Sequence, residues 1–189
     1  HMINTKYNVL YNGNLAFDLG LVEIERASDD NYWEILPIER LNISNKIKEQ
    51  EDEKNSNFYK AEQKAVKAVQ THGMNIRGKE KNTQIDDAYI LLGKARYFNC
   101  KFISALEAFN YILYKYPESS NINLAKIWRA KANVRLNNHS IALKNLTELS
   151  LNTNLSKNEK WLVYSTLAQI QINLNNLNSA HFWICLLYT

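Results

Sequence analysis

Proline occurs twice, cysteine twice and glycine five times in 189 residues. So little proline and glycine excludes a collagen-like chain and leaves no composition for a long disordered tail. Cys100 and Cys185 stand far apart with no further cysteines, so no disulfide framework is implied and the redox compartment stays open. His72, His139 and His181 show no metal-ligand spacing among themselves or with the cysteines, which argues against a zinc site. No apolar run approaches the ~18 residues that would cross a bilayer. Also missing are a P-loop, a Gly-rich dinucleotide turn, a nucleophile elbow and an HExxH motif. The acidic residues recur at spacings that explain them as solvated helix faces. No catalytic residue, cofactor or metal is therefore expected, and the chain reads as a non-enzyme. The charge lacks a dominant sign too: a net +4 arises from mixed residues and says little about partners. Arg77, Lys79 and Lys81 make a short basic stretch, but Gly78 and Glu80 lie within it. It reads as a solvated connector, and no nucleic-acid partner is expected.

What is present is helical periodicity on an apolar content of 46%, enough to fill a core. The segment Asp86 to Ser119 reads DDAYILLGKARYFNCKFISALEAFNYILYKYPES. It places small residues, Gly93 and Ala105, where two helices would cross, then Phe109 on the inner face and Pro117 to stop the second helix. This pattern resembles a tetratricopeptide repeat, with one departure at Arg96, where that family usually carries an aromatic. A second copy is read through Trp128, Ala132, Ala142, Leu146 and Leu149, with a turn at Asn137, Asn138 and His139 shorter than the consensus. A third runs through Tyr164, Leu167, Ala168, Leu177, Ala180, Ile184 and Leu187, where Ala168 and Ala180 repeat the spacing of Gly93 and Ala105. Three copies are about the minimum that buries a continuous core. The expected architecture is all-α, a right-handed helical-repeat solenoid with an N-terminal helical extension. Residues 1–82 form the extension, and residues 83–189 form repeats over about 86–120, 121–156 and 157–189. Apolar residues at the end (Trp183, Ile184, Leu186, Leu187, Tyr188) predict that the solenoid continues in a longer protein. His1 and Met2 resemble a cloning remnant.

Ahead of the repeats, Tyr7, Leu10, Tyr11, Leu15, Leu19 and Val22 predict an amphipathic helix to about Arg26. Gly13 within it costs ~1 kcal/mol against alanine, so another element is expected to pack on its backbone, with Trp33 the nearest candidate. Residues 42–57 are charged and read as an exposed linker. A further helix follows from Asn57 to His72, with Ala61, Ala65, Val66, Ala68 and Val69 inward, Lys60, Lys64 and Lys67 outward, and Gly73 as its cap. Tyr89, Phe98, Phe102, Phe109, Tyr111, Trp128, Trp161 and Trp183 fall at packing positions. Trp33 lies outside any repeat, beside acidic residues, and is a possible interface residue.

The runs YNVLYNGN (from Tyr7) and DNYWEILP (from Asp30), followed by IDDAYILLGKARYF, ALEAFNYILYKYP and AKIWRAKANVRL, resemble the N-terminal part of the PorW/SprE family. These are tetratricopeptide lipoproteins of Bacteroidota associated with gliding motility and type IX secretion. The resemblance implies a periplasmic adaptor linking the secretion ring to the outer-membrane translocon through protein partners. It also implies an outer-membrane anchor through a lipid that is not in this sequence. Two alternatives are an assembly lipoprotein resembling BamD, whose repeats share the phrase YKYPES, and a SusD-type lipoprotein binding small ligands or glycans. The second would need exposed aromatic platforms in long loops, and the loops here read as short.

In a solenoid of this kind the first helices of successive repeats line the concave face. The repeat register puts Ile90, Lys94 and Tyr97 there from the first copy, Lys126, Arg129 and Asn133 from the second, and Ser165, Gln169 and Ile172 from the third. The expected groove has a cationic middle and amide donors, suited to an acidic or extended polypeptide, with Tyr97 as anchor. Its rival is that these are ordinary solvated helix positions. A chaperone-tail clamp is disfavoured, since it would ask for Lys where Ile90 stands and Asn where Lys94 stands.

Overall fold

The computed structural model describes residues 5–41, 56–76 and 79–188. Among these residues, eight α-helices pack sequentially in antiparallel pairs, consistent with a helical repeat. Helix α1 (Tyr11–Ala27) is entered through a π-helical stretch over Thr5–Leu10 and pairs with α2 (Asn57–His72). A small hairpin follows, β1 (Asn75–Ile76) antiparallel to β2 (Lys79–Glu80), in the connector that the sequence presents as a basic linker. Three helical pairs complete the chain: α3 (Ile85–Phe98) with α4 (Phe102–Lys115), α5 (Ile122–Arg135) with α6 (His139–Ser150), and α7 (Lys157–Asn173) with α8 (Leu177–Cys185). Arg77 and most of the charged run at 42–57 lie outside the described residues.

Local chemistry sets the ends. Ser56 caps α2 by accepting the Tyr59 N–H, and Ser156 and Glu159 form a reciprocal capping box at the start of α7. Helix α4 stops two residues before Pro117, which cannot continue it. Gly73 follows α2 with φ −59°, an extended conformation, so the helix ends there without the left-handed cap expected of glycine. The three later pairs share one turn. Cys100, Asn137 and Asn175 have φ of 61°, 61° and 56°. In each turn the next N–H reaches back to a helix carbonyl, Lys101 to Arg96 at 2.9 Å, Asn138 to Asn133 at 2.9 Å and Asn176 to Gln171 at 2.8 Å. These are helix ends closed through a left-handed residue. The second turn is thus as long as the other two, which corrects its reading as shortened.

Close approach explains the glycines. A Cβ at Gly93 would press into the ring of Phe109, and one at Gly20 would lie 2.8 Å from the Phe58 ring. Gly13 is covered by the Leu91 side chain, 2.7 Å from where its Cβ would stand, and by Lys64. An element does pack on Gly13, then, but it is α3 with α2. Trp33 is nowhere near, being 97% exposed. Small residues twelve positions apart recur as Gly93/Ala105, Ala130/Ala142 and Ala168/Ala180, so the second unit crosses at Ala130 rather than Ala132.

Helix α5 is the wall between two cores. Trp128 and Ala132 join an aromatic cluster with Phe17, Phe58, Phe98 and Phe109, while Ile127 and Ala130 face a second cluster of Leu146, Val163, Leu167 and Ile170. Arg96, the departure from the repeat pattern, is used structurally. Its Nε donates to the buried Glu62 of α2 at 3.0 Å and a terminal nitrogen to the Ser104 carbonyl at 3.1 Å, tying three helices where an aromatic ring would only pack.

Candidate functional site

Between α1 and α2 the chain leaves the helical stack, and residues 28–41 lie on the inner face as a looped strap that turns at Tyr32 and Trp33. The strap is knit to itself at both ends: Arg40 pairs with Asp30 at 2.5 Å, and Asn31 accepts the Trp33 N–H on its side chain at 3.2 Å. It touches the first helix of every later pair. The Ile38 N–H donates to Gln169 Oε1 of α7 at 2.8 Å. The Glu39 carboxylate accepts from the Tyr97 hydroxyl of α3, from Lys131 Nζ of α5 at 2.5 Å and from Arg135 of α5 at 3.0 Å. Arg135 Nε also donates to the Tyr97 oxygen at 2.9 Å, so the four groups close on one another. Leu41 then enters the aromatic core.

The electrostatics follow from this packing. Burial alone would raise the Glu39 pKa. The Lys131 ammonium, hydrogen bonds from Lys131 and Tyr97, and Arg135 outweigh it and hold the carboxyl below its usual range. Burial and the neighbouring Glu39 carboxylate push the Tyr97 hydroxyl far above its usual value, so it keeps its proton and donates it to Glu39 while its oxygen accepts from Arg135. Burial works against the Arg135 charge, but Tyr97 and Glu39 more than offset it, and its pKa is raised. Lys131 lies 4.1 Å from the Trp128 ring centre and Lys94 5.6 Å from it on the same inner face. Lys94 also sits 4.5 Å over Phe17. Burial lowers the Lys94 pKa, Asp18 opposes this, and Lys131 adds to it.

Beside the strap lies a cleft of about 860 Å³, walled by the strap on one side and by Lys131 and Arg135 of α5 and Trp161, Thr166 and Asn173 of α7 on the other. Trp161 on its wall is 53% exposed, which removes it from the packing role its repeat position implies; Tyr32 and Trp33 on the strap are 81% and 97% exposed and do not line the cleft.

Of the inner-face positions read from the sequence, Tyr97, Ser165 and Gln169 line this cleft. Ile90 and Lys94 line a separate depression against α1, with Leu10 and Asn14. Ile172 is half-buried, Lys126 is exposed and Arg129 is half-buried with its pKa lowered by burial. Asn133 is spent on its own turn, donating to the Arg129 carbonyl and accepting from Asn138. The true equivalents in the second unit are Ile127, Lys131 and Val134, one to two residues later, and one residue on a helix rotates a side chain by about 100°. The signal was available: Lys94, Lys131 and Gln169 each directly follow the small crossing residue Gly93, Ala130 or Ala168. Glu39 and Arg135 carried no such mark. Neither Cys100 nor Cys185 is in a disulfide among the described residues, and among them no group of three or more His, Cys, Asp or Glu could hold a metal ion. Nor is any described helix long and apolar enough to cross a membrane.

Fold and cleft together define an all-α protein of sequential antiparallel helix pairs, consistent with a helical repeat, with a polar seat on its inner face. No protein-family model matches the chain, and no curated protein sequence is significantly similar to it.

Proposed function

We propose that the chain is a non-enzymatic protein–protein interaction scaffold built on right-handed tetratricopeptide repeats. In line with the YNVLYNGN and DNYWEILP runs, it serves as a periplasmic adaptor of type IX secretion and gliding, joining ring to translocon and anchored to the outer membrane by a lipid outside this sequence. One observation carries the binding reading: the inner face holds a non-helical segment, the chain's own strap, through a main-chain N–H and a carboxylate. A partner segment would be held by the same kind of contacts.

The test is a pull-down from the envelope of a type IX-secreting bacterium, with a Trp33→Ala/Trp161→Ala variant as control and subunits identified by mass spectrometry. Recovery of ring or translocon subunits by the unaltered chain, reduced in the variant, is the expected result. Recovery of barrel-assembly components instead would move the reading to the BamD-like alternative. Recovery of nothing by folded monomer would remove the adaptor role. The SusD-like alternative gains from one feature, the exposed Tyr32 and Trp33 on a long connector. Titration calorimetry with a panel of neutral oligosaccharides tests it directly.

A further inference from the structure

The strap is held by few points. From Asn31 to Ile38 every residue is exposed, and only Leu41 at its end is buried among the helices. Tyr32, Trp33 and Ile35 remain largely in water, so lifting the tip of the strap forfeits little apolar burial, while Leu36 and Ile38 are 36% and 38% exposed and Leu41 is buried. Beside these apolar contacts the fastening is polar: one N–H on Gln169 and one carboxylate in the seat of Tyr97, Lys131 and Arg135. The seat is also over-provided with positive charge. Two cations and a phenol donor converge on the single carboxylate of Glu39, whereas the nearby Lys94 has Asp18 as its own neighbouring carboxylate. An occupant bringing two adjacent carboxylates would neutralise what Glu39 leaves over. The open cleft alongside gives such an occupant room to enter before the strap has left.

We propose that residues 28–41 are an internal stand-in for a partner: the Tyr97, Lys131 and Arg135 seat recognises an extended acidic segment of another polypeptide, and Glu39 keeps that seat closed until such a segment displaces it. The inference rests on reading the inner face as a protein-binding face. It does not depend on which secretion component the partner is.

A fluorescein-labelled peptide with the sequence from Glu34 to Leu41, and a second carrying Arg40→Glu to supply adjacent carboxylates, are titrated by fluorescence anisotropy into three proteins. These are the unaltered chain, Glu39→Ala, and Lys131→Glu/Arg135→Glu, each checked for folding by thermal melting. If the strap is closed nine-tenths of the time or more, the unaltered chain binds at least about tenfold more weakly than Glu39→Ala, because apparent affinity falls with the open fraction. The Arg40→Glu peptide binds tighter than the natural sequence, a Glu39→Gln peptide binds neither form, and the charge-reversed protein binds nothing. Equal binding by the unaltered chain and Glu39→Ala overturns the stand-in role. So does no binding by a folded Glu39→Ala, and so does dimerisation of Glu39→Ala through exchanged straps, which would make a second copy the occupant. Should the variants not fold, hydrogen exchange of the unaltered chain decides: excess Arg40→Glu peptide accelerates exchange at the Ile38 amide, and no change overturns the proposal. Failure of the pull-down with success here would leave the seat intact and discard only the adaptor assignment.

Discussion

The two cores on either side of α5 are built from different materials. Toward the N-terminus the interior is a network of rings: Phe17 meets Phe58 and Phe98 edge-on, Phe58 stacks on Phe98 at 5.1 Å, and Tyr97 and Phe109 both reach Trp128. Toward the C-terminus it is aliphatic, with Leu146, Val163, Leu167 and Ile170 fully enclosed. Rings are large and flat, so the facing helix must give way to bare backbone, which is why Gly20 lies under Phe58 and Gly93 under Phe109. Branched aliphatic chains fill the space between helices that cross on alanine, and the second core uses Ala130 and Ala142 instead. The same helix-pair geometry is therefore reached by two size pairings, large against none and medium against small.

The sharpest way to break that comparison is to remove one residue from each core. Phe109→Ala is expected to cost about 3–5 kcal/mol and Leu167→Ala about 2–5, with the aromatic core losing more because the ring is what fills the space over Gly93. Urea titrations followed by far-UV circular dichroism measure both, and equal costs would show that the cores pack alike.

Next in size is the strap, which crosses from one core to the other. Because the folded Glu39 pKa is below that of the unfolded chain, the seat's contribution is fully present above the ordinary glutamate pKa of about 4.3 and disappears as pH falls through the folded value. Glu39→Gln removes the charge at any pH and is expected to ease strap opening by about 1.5–3 kcal/mol, the usual worth of hydrogen bonds to a charged group that is mostly buried. Hydrogen exchange at the Ile38 amide across pH 7 to 3 reads both effects. An amide as protected in the variant as in the parent would show that the seat does not hold the strap.

Smaller is the exchange of the crossing residues. Gly93→Ala should cost about 1–2 kcal/mol, overpacking against Phe109 outweighing the gain in helix propensity, and Ala168→Gly about 1–2 kcal/mol, from lost propensity together with the buried methyl it removes. Thermal melts compare them, and a stabilised Gly93→Ala would mean that the Phe109 ring yields. The smallest change is at the shared turn. Cys100 adopts the left-handed conformation that asparagine holds at positions 137 and 175, so Cys100→Asn is expected to stabilise by about 0.5–1 kcal/mol. An unchanged melting temperature would show that the conformation costs cysteine nothing there.

Much of the repeat half was legible. Gly93, Ala105, Phe109 and Pro117 mark their helices correctly because each acts through a short-range constraint, a contact or a chain stop, that one residue type meets best. The second unit misled for an equally local reason. Alanine occurs at 125, 130 and 132, all buried, so small size alone could not say which one faces α6. Only the twelve-residue spacing to Ala142 and the left-handed Asn137 fix it. Trp33 invited a packing role by its size, yet the glycine it was matched with is filled by Leu91 from α3, a residue far off in sequence.

The sequence by itself determined the helices, their caps and their small crossing points, since these depend on interactions within a turn or two of chain. Tertiary structure alone decided where the strap goes and what Glu39 meets. Tyr97, Lys131 and Arg135 lie 58 to 96 residues away from it, and no periodicity links a non-helical segment to a helix face. Two cations stacked near one buried face need a counter-charge. Which carboxylate supplies it was settled only when the pairs had stacked and brought the connector within reach.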